Sequence, residues 1–237
     1  MSFRTLDATH IIDTIERLTQ RIAERFPGAG LLGVSRDLFN LARECADEAE
    51  SLGRPKWPIR LAVIVTIMLM GLVVVVAVLG VMQRLRSPTA VSGLSEFVQG
   101  VNAGVSDLVF LGIGAYSLWS IETRLKRRTA LRRLHQLRSI AHIVDMHQLT
   151  KDPEHLLSPR EDTASSPARN MTPTDLGRYL DYCSELLSLT AKVGALFGQR
   201  MEDAVVLQAV NEIEDLTNGL SRKIWQKITL LERVAGH

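Results

Sequence analysis

The chain has 237 residues, 46% of them hydrophobic but only 5% aromatic, and its 28 Lys and Arg against 26 Asp and Glu leave a formal net charge of +2 at pH 7. That length holds one large or two small domains, and so apolar a composition is unusual for a soluble enzyme. Charges that nearly cancel carry information only segment by segment.

In chain order, "HIIDTIERLTQRIAERFPG" places Ile11, Ile15, Leu18, Ile22 and Phe26 at helical spacing, and Pro27 with Gly28 stops the run. Leu31, Val34, Leu38, Leu41, Cys45 and Leu52 mark a second run before Gly53. Residues 1–53 therefore predict a helical hairpin with an acidic end, "ECADEAE". The linker 54–60 carries Pro55 and Pro58 around Lys56 and Trp57, which no helix passes smoothly.

Residues 61–82 read "LAVIVTIMLMGLVVVVAVLGVM", twenty-two residues without a charge. At about 1.5 Å per residue this crosses a hydrocarbon core of about 30 Å, which predicts a first transmembrane helix. The polar residues before it exclude a cleaved signal peptide. After a loop at 83–102, a second span is expected at 103–121. Its strongly apolar part, Leu108 to Ile121, is too short alone, so the span takes in Asp107. A helix starting at Ala103 puts that carboxylate about one turn from the outer end, and a start near Phe97 moves it toward the middle.

Arg124, Lys126, Arg127, Arg128, Arg132, Arg133 and Arg138 follow the second span against Glu122, and Arg54, Lys56 and Arg60 precede the first. The positive-inside bias then places both termini in the cytoplasm and the loop outside, with Trp57 and Trp119 near the cytoplasmic interface. The expected location is a bacterial inner (plasma) membrane. The six cations from Arg124 to Arg133 are expected to meet anionic lipid. Nucleic acid is not expected as a partner, because groove-reading and stacking residues are missing from this run.

No proline interrupts Leu108 to Leu149, so the second span is predicted to continue as a cytoplasmic helix over 122–149, with Leu134, Leu137, Ala141 and Val144 on one side. Residues 150–172 are polar and proline-rich and predict a loop. Thr172, Pro173 and Asp175 then open a helix bearing Leu176, Leu180, Cys183, Leu187, Thr190 and Phe197. Val206, Ala209, Ile213, Leu216, Leu220, Ile224, Ile228, Leu231 and Val234 mark a last long helix, so 173–237 holds two. The fold class is an all-α membrane protein. It combines a two-helix transmembrane hairpin, a cytoplasmic N-terminal helical hairpin and a C-terminal three-helix coiled-coil-like bundle.

The hairpin around "LVFLGIGAYSLWSIETRLKRR" resembles small uncharacterised bacterial two-pass membrane proteins, and over residues 55–150 the layout is distantly similar to SLATT-type effectors of bacterial conflict systems. That second resemblance implies pore formation. It rests on architecture, which does not by itself carry function.

Residues that could do chemistry are few. His135, His142 and Asp145 share a helix face with Arg138 and are the candidates for a metal, but the histidines lie about 10.5 Å apart along the axis, too far for one ion without help from another helix. No phosphate-binding loop or nucleophile elbow occurs, so neither catalysis nor a cofactor is expected. Cys45 and Cys183 sit on apolar stripes as reduced core residues. Gly100, Gly104, Asp107 and Gly114 share a face suited to close helix packing or to a pore. Two functions follow as expectations. The first is a non-enzymatic, membrane-anchored helical scaffold that self-associates into homo-oligomers through its long helices and recruits a cytoplasmic protein. The second is an oligomeric ion channel or pore-forming effector gated by its cytoplasmic bundle.

Overall fold

A computed structural model describes residues 5–53, 57–85, 93–153 and 171–235. The linker's first three residues, the middle of the first loop, residues 154–170, and the side chains of Asp107, Trp119 and Val234 lie outside the described residues. Six helices account for nearly all of the rest, and no strand occurs among the described residues. They are α1 (Ala8–Arg25), α2 (Gly30–Gly53), α3 (Trp57–Leu85), α4 (Gly93–Leu149), α5 (Pro173–Arg200) and α6 (Ala204–Ala235).

The chain divides into two compact units, residues 1–53 with 127–237, and residues 54–126. The first is a helical bundle in which α1, α2, α5, α6 and the C-terminal part of α4 share one hydrophobic core. The N-terminal hairpin is therefore not set apart from a C-terminal three-helix bundle. Its apolar stripe faces the same interior. Ile15, Leu18 and Ile22 of α1, Leu31 and Leu38 of α2, Leu134 and Leu137 of α4, Leu187 and Phe197 of α5, and Ile224 of α6 are all essentially inaccessible.

Local chemistry starts and stops these helices where the sequence changes character. Asp7 caps α1, its Oδ1 accepting from the N–H groups of Thr9 and His10, and Pro27 follows the end of the helix. Thr172 caps α5 by accepting from the Asp175 N–H, with Pro173 at the first helical position. Asp203 caps α6 by accepting from the N–H groups of Val205 and Val206.

Helix α5 is the centre of the bundle. The heptad-like set Leu176, Leu180, Cys183, Leu187, Thr190 and Phe197 is buried, and so are Tyr179, Tyr182, Leu186, Leu189, Val193 and Leu196. One stripe would serve one neighbour. Two adjoining stripes let α5 pack on α6 along one side and on α1 and α2 along the other. Thr190 and Thr217 are buried hydroxyls, and each donates to the carbonyl four residues back, Leu186 and Ile213 respectively, which removes the cost of burying them unpaired.

In the second unit, α3 is one continuous helix of 29 residues. Helix α4 begins at Gly93 and so takes in half of a stretch expected to be loop, 83–102, whose first residues also belong to α3. Its 57 residues run without a break to Leu149, about 85 Å of helix, as the absence of proline predicts.

Candidate membrane segment and polar sites

Between Arg60 and Gly80, α3 is long and apolar enough to cross a membrane, and none of that window is buried within the chain. Leu61, Ile64, Leu69, Leu72, Val76 and Leu79 each leave about half or more of their surface open. So long an exposed apolar face is far beyond what a monomeric soluble protein tolerates in water. No second helix meets the same criteria among the described residues. Val105, Val109, Phe110, Ile113 and Tyr116 of α4 are nevertheless exposed in the same way. A methyl group added at Gly71, Gly80, Gly104, Gly112 or Gly114 would meet open space, so no neighbouring helix of this chain closes on these small residues.

The cations that follow divide into two groups. Lys126 pairs with Glu122 at 2.9 Å, one turn earlier on the same helix. Arg127 donates from both Nε and Nη2 to Asp203 Oδ2, at 2.9 and 2.7 Å. Burial alone would raise the Asp203 pKa, but the Arg127 bonds and the Val206 and Val205 N–H groups outweigh it and hold the carboxyl below its ordinary range. Arg133, only 18% exposed, forks between Glu44 and Glu48 of α2. The Glu48 bond leads in raising its pKa further. Arg124, Arg128 and Arg132 are exposed, with no carboxylate partner among the described residues.

Where α4 ends, Lys227 of α6 donates its Nζ to the carbonyls of Gln148 (2.9 Å) and Lys151 (3.4 Å). A cation at a helix C-terminus is favourable for the orphan carbonyls there. Desolvation lowers the Lys227 pKa, opposed by Asp152, Asp145 and Cys183. Beside it lies a shallow cleft of about 420 Å³ lined by Phe26, Gly30, His147, Lys151 and Tyr179 among others. The His147 ring rests so close on Gly30 that any Cβ there would collide with it, which accounts for a glycine at the first position of α2. Phe26 meets Tyr179 and Tyr182 edge to face at 5.5 and 6.1 Å, and Lys151 lies 5.5 Å over the Tyr179 ring.

The metal candidates are not drawn together. His135 and His142 face solvent, Asp145 accepts from Gln148 Nε2 at 2.6 Å, and no group of three His, Cys, Asp or Glu side chains converges among the described residues. Arg138 of the same face reaches Glu212 instead. Cys45 and Cys183 are buried, and burial pushes both thiols up to about 12, so neither is a nucleophile at neutral pH. Of the face Gly100, Gly104, Asp107 and Gly114, all four positions lie within α4. The ion-pair acceptors Glu44, Glu48 and Asp203 were not legible as functional in sequence. Only the position of Asp203, three residues before the apolar stripe opens at Val206, hinted at its cap.

Comparison with known proteins yields no matching family model, no match among curated proteins and none among solved structures.

Proposed function

We propose that this chain is a non-enzymatic, membrane-anchored helical scaffold that crosses a bacterial inner membrane twice, both termini cytoplasmic. One observation carries the reading. The segments on either side of the apolar stretch, 1–53 and 127–237, share one core. A chain that leaves this core after Gly53 and rejoins it at Arg127 returns to the side it left, so residues 54–126 cross a membrane an even number of times. Given one crossing at Arg60–Gly80, the return falls to the first part of α4, where 103–121 supplies the exposed apolar residues. The positive-inside bias supplies the orientation.

The apolar stripe of α6 is occupied within the chain, with Val206, Ile213, Leu220, Ile224 and Leu231 all buried. Homo-oligomers therefore form through the membrane segment, where Gly71, Gly80, Gly104, Gly112 and Gly114 meet nothing in the monomer. The outer surface of the bundle is left for a cytoplasmic protein partner.

Cysteine labelling tests the topology. Cys45 and Cys183 are buried and inert, so single added cysteines report cleanly. Thr89→Cys should react with a membrane-impermeant maleimide in intact cells, and Ser51→Cys and Ser221→Cys only after permeabilisation. Labelling of all three from one side would end the two-pass reading.

A second reading has one observation in its favour. With α4 starting at Gly93, Asp107 lies about 21 Å along the helix from its start. A carboxylate that far into a helix suits the polar position of an oligomeric ion channel, in keeping with the layout similarity to SLATT-type effectors. Ion efflux from liposomes holding the full chain, altered by Asp107→Asn, would move the assignment to a channel. No flux above empty liposomes would leave the scaffold.

A further inference from the structure

The cations after the apolar segment look equivalent in sequence and are not equivalent in the fold. Lys126, Arg127, Arg133 and Arg138 are each held by a carboxylate of the same chain: Glu122, Asp203, Glu44 with Glu48, and Glu212. Three remain exposed without such a partner among the described residues. These are Arg124, Arg128 and Arg132, at steps of four along the unbroken α4, so they follow one another on one ridge of the helix.

We infer that the ridge Arg124, Arg128 and Arg132 binds the headgroups of anionic phospholipids, and that the other cations of the run do not. This rests on the membrane reading above and sharpens it from six candidate cations to three. The charge complementarity is specific. A planar guanidinium bonds phosphate oxygens in a bidentate fork, whereas Arg127 and Arg133 already have their charge matched by Asp203 and by Glu44 with Glu48, which hold them toward the bundle. The ridge is about 12 Å long, eight residues of rise, and begins three residues after Ile121, where the expected span ends. That reach matches the headgroup layer plus one Debye length at physiological salt. Beyond Arg132 the next step of four reaches Gln136, which is exposed and uncharged.

Native mass spectrometry of the full chain, released from micelles doped with equal phosphatidylglycerol and phosphatidylcholine, tests this. The parent should retain phosphatidylglycerol preferentially. The triple variant Arg124→Gln, Arg128→Gln, Arg132→Gln should lose that preference by up to about 100-fold, since each basic residue near an anionic surface contributes about a factor of five. The double variant Arg127→Gln, Arg133→Gln should keep the preference while melting at a lower temperature. Lysine at the three ridge positions should restore part of it, which separates lost charge from lost fold. A triple variant that retains phosphatidylglycerol like the parent overturns the inference, as does an equal loss in the double variant. Carbonate extraction of native membranes separates the two levels. A chain released by carbonate overturns the membrane reading itself, whereas one that stays but shows no headgroup preference overturns the ridge alone.

Discussion

Leu187 and Leu72 are both leucines in the middle of long helices, yet the first is fully buried and the second is 59% exposed. Around Leu187, α5 alternates its apolar residues with Ser184, Glu185, Ser188 and Lys192, so a polar side is left for water. Around Leu72 nothing alternates, and every side of α3 is apolar. The difference teaches that periodicity, not apolar content, names the solvent a helix is built for. An amphipathic helix needs an apolar phase on one side only, and a uniformly apolar one needs it on every side, in the middle of a large core or in lipid.

The largest effect expected from breaking this contrast is in the core. Leu187→Ala removes a side chain with no exposure and leaves a cavity, so unfolding of the full chain in detergent should be eased by about 3 kcal/mol. Leu72→Ala, in a window of α3 of which none is buried within the chain, should stay within about 0.5 kcal/mol of the parent. Thermal or denaturant melts followed by circular dichroism compare the two. Equal losses would mean that α3 is packed against protein after all.

The core was legible almost residue by residue. Ile11, Ile15, Leu18 and Ile22, the α2 set from Leu31 to Leu52, and Leu134, Leu137, Ala141 and Val144 were all expected on inward faces, and all are buried. Such faces follow from helical period alone, and period is local. What was not legible is which faces meet. Nothing in "ERLTQR" announces that Arg21 will stand beside Glu185, because that pairing is 164 residues long-range and is decided by the joint fit of five helices. The start of α4 is left open by the sequence for a related reason. Gly93, Gly100 and Gly104 argue weakly against helix in water, and propensity is easily overridden by context. Of the site residues, the glycines and arginines could be named but the partition of the arginines could not, since it depends on carboxylates from α2 and α6.

Next in size is the fork of Arg133. It is mostly buried and bonded to Glu44 and to Glu48 Oε1, and among the described residues the buried Glu48 Oε2 has no hydrogen-bond partner. Arg133→Gln would leave a half-buried carboxylate without its cation, at a cost of about 2 kcal/mol. Arg132→Gln, one residue away but exposed, should change stability by less than about 0.5 kcal/mol. A pair of melts thus shows whether adjacent arginines serve different ends.

A smaller, pH-dependent effect belongs to Asp203. Its folded pKa is depressed, so the stability it contributes is present above the unfolded carboxylate value near pH 4 and is lost as pH falls through the folded value. Asp203→Asn keeps a capping oxygen but no charge. It should cost about 1 kcal/mol at pH 7, with the gap to the parent closing in acid. Lys227 carries the opposite sign. Its folded pKa is lowered by burial, so the penalty for holding it charged fades as pH rises toward its unfolded value near 10.4. Melting curves of parent and variant from pH 3 to 7 test the first. A gap that persists in acid would show that the cap, not the charge, carries the contribution.

The smallest effect bears on the premise that matters most, the joining of residues 1–53 to 127–237. Arg21 and Glu185 form a bonded pair between α1 and α5, but both are 40% exposed or more, and Arg25 with Asp175 is similar. Exposed pairs contribute about 0.2–1 kcal/mol and weaken with salt. A double-mutant cycle on Arg21 and Glu185 should return about 0.5 kcal/mol at low salt and near zero at 1 M. The inward stripe of Ile11, Ile15, Leu18 and Ile22 is instead indifferent to salt, and burying such side chains contributes about 1.5–3 kcal/mol each. Raising the salt should therefore leave the hairpin docked, visible as undiminished protection of α1 amides in hydrogen exchange. If α1 were released at high salt, the hairpin would be held by charge alone, and the inference that the chain returns to the side of the membrane it left would lose its foundation.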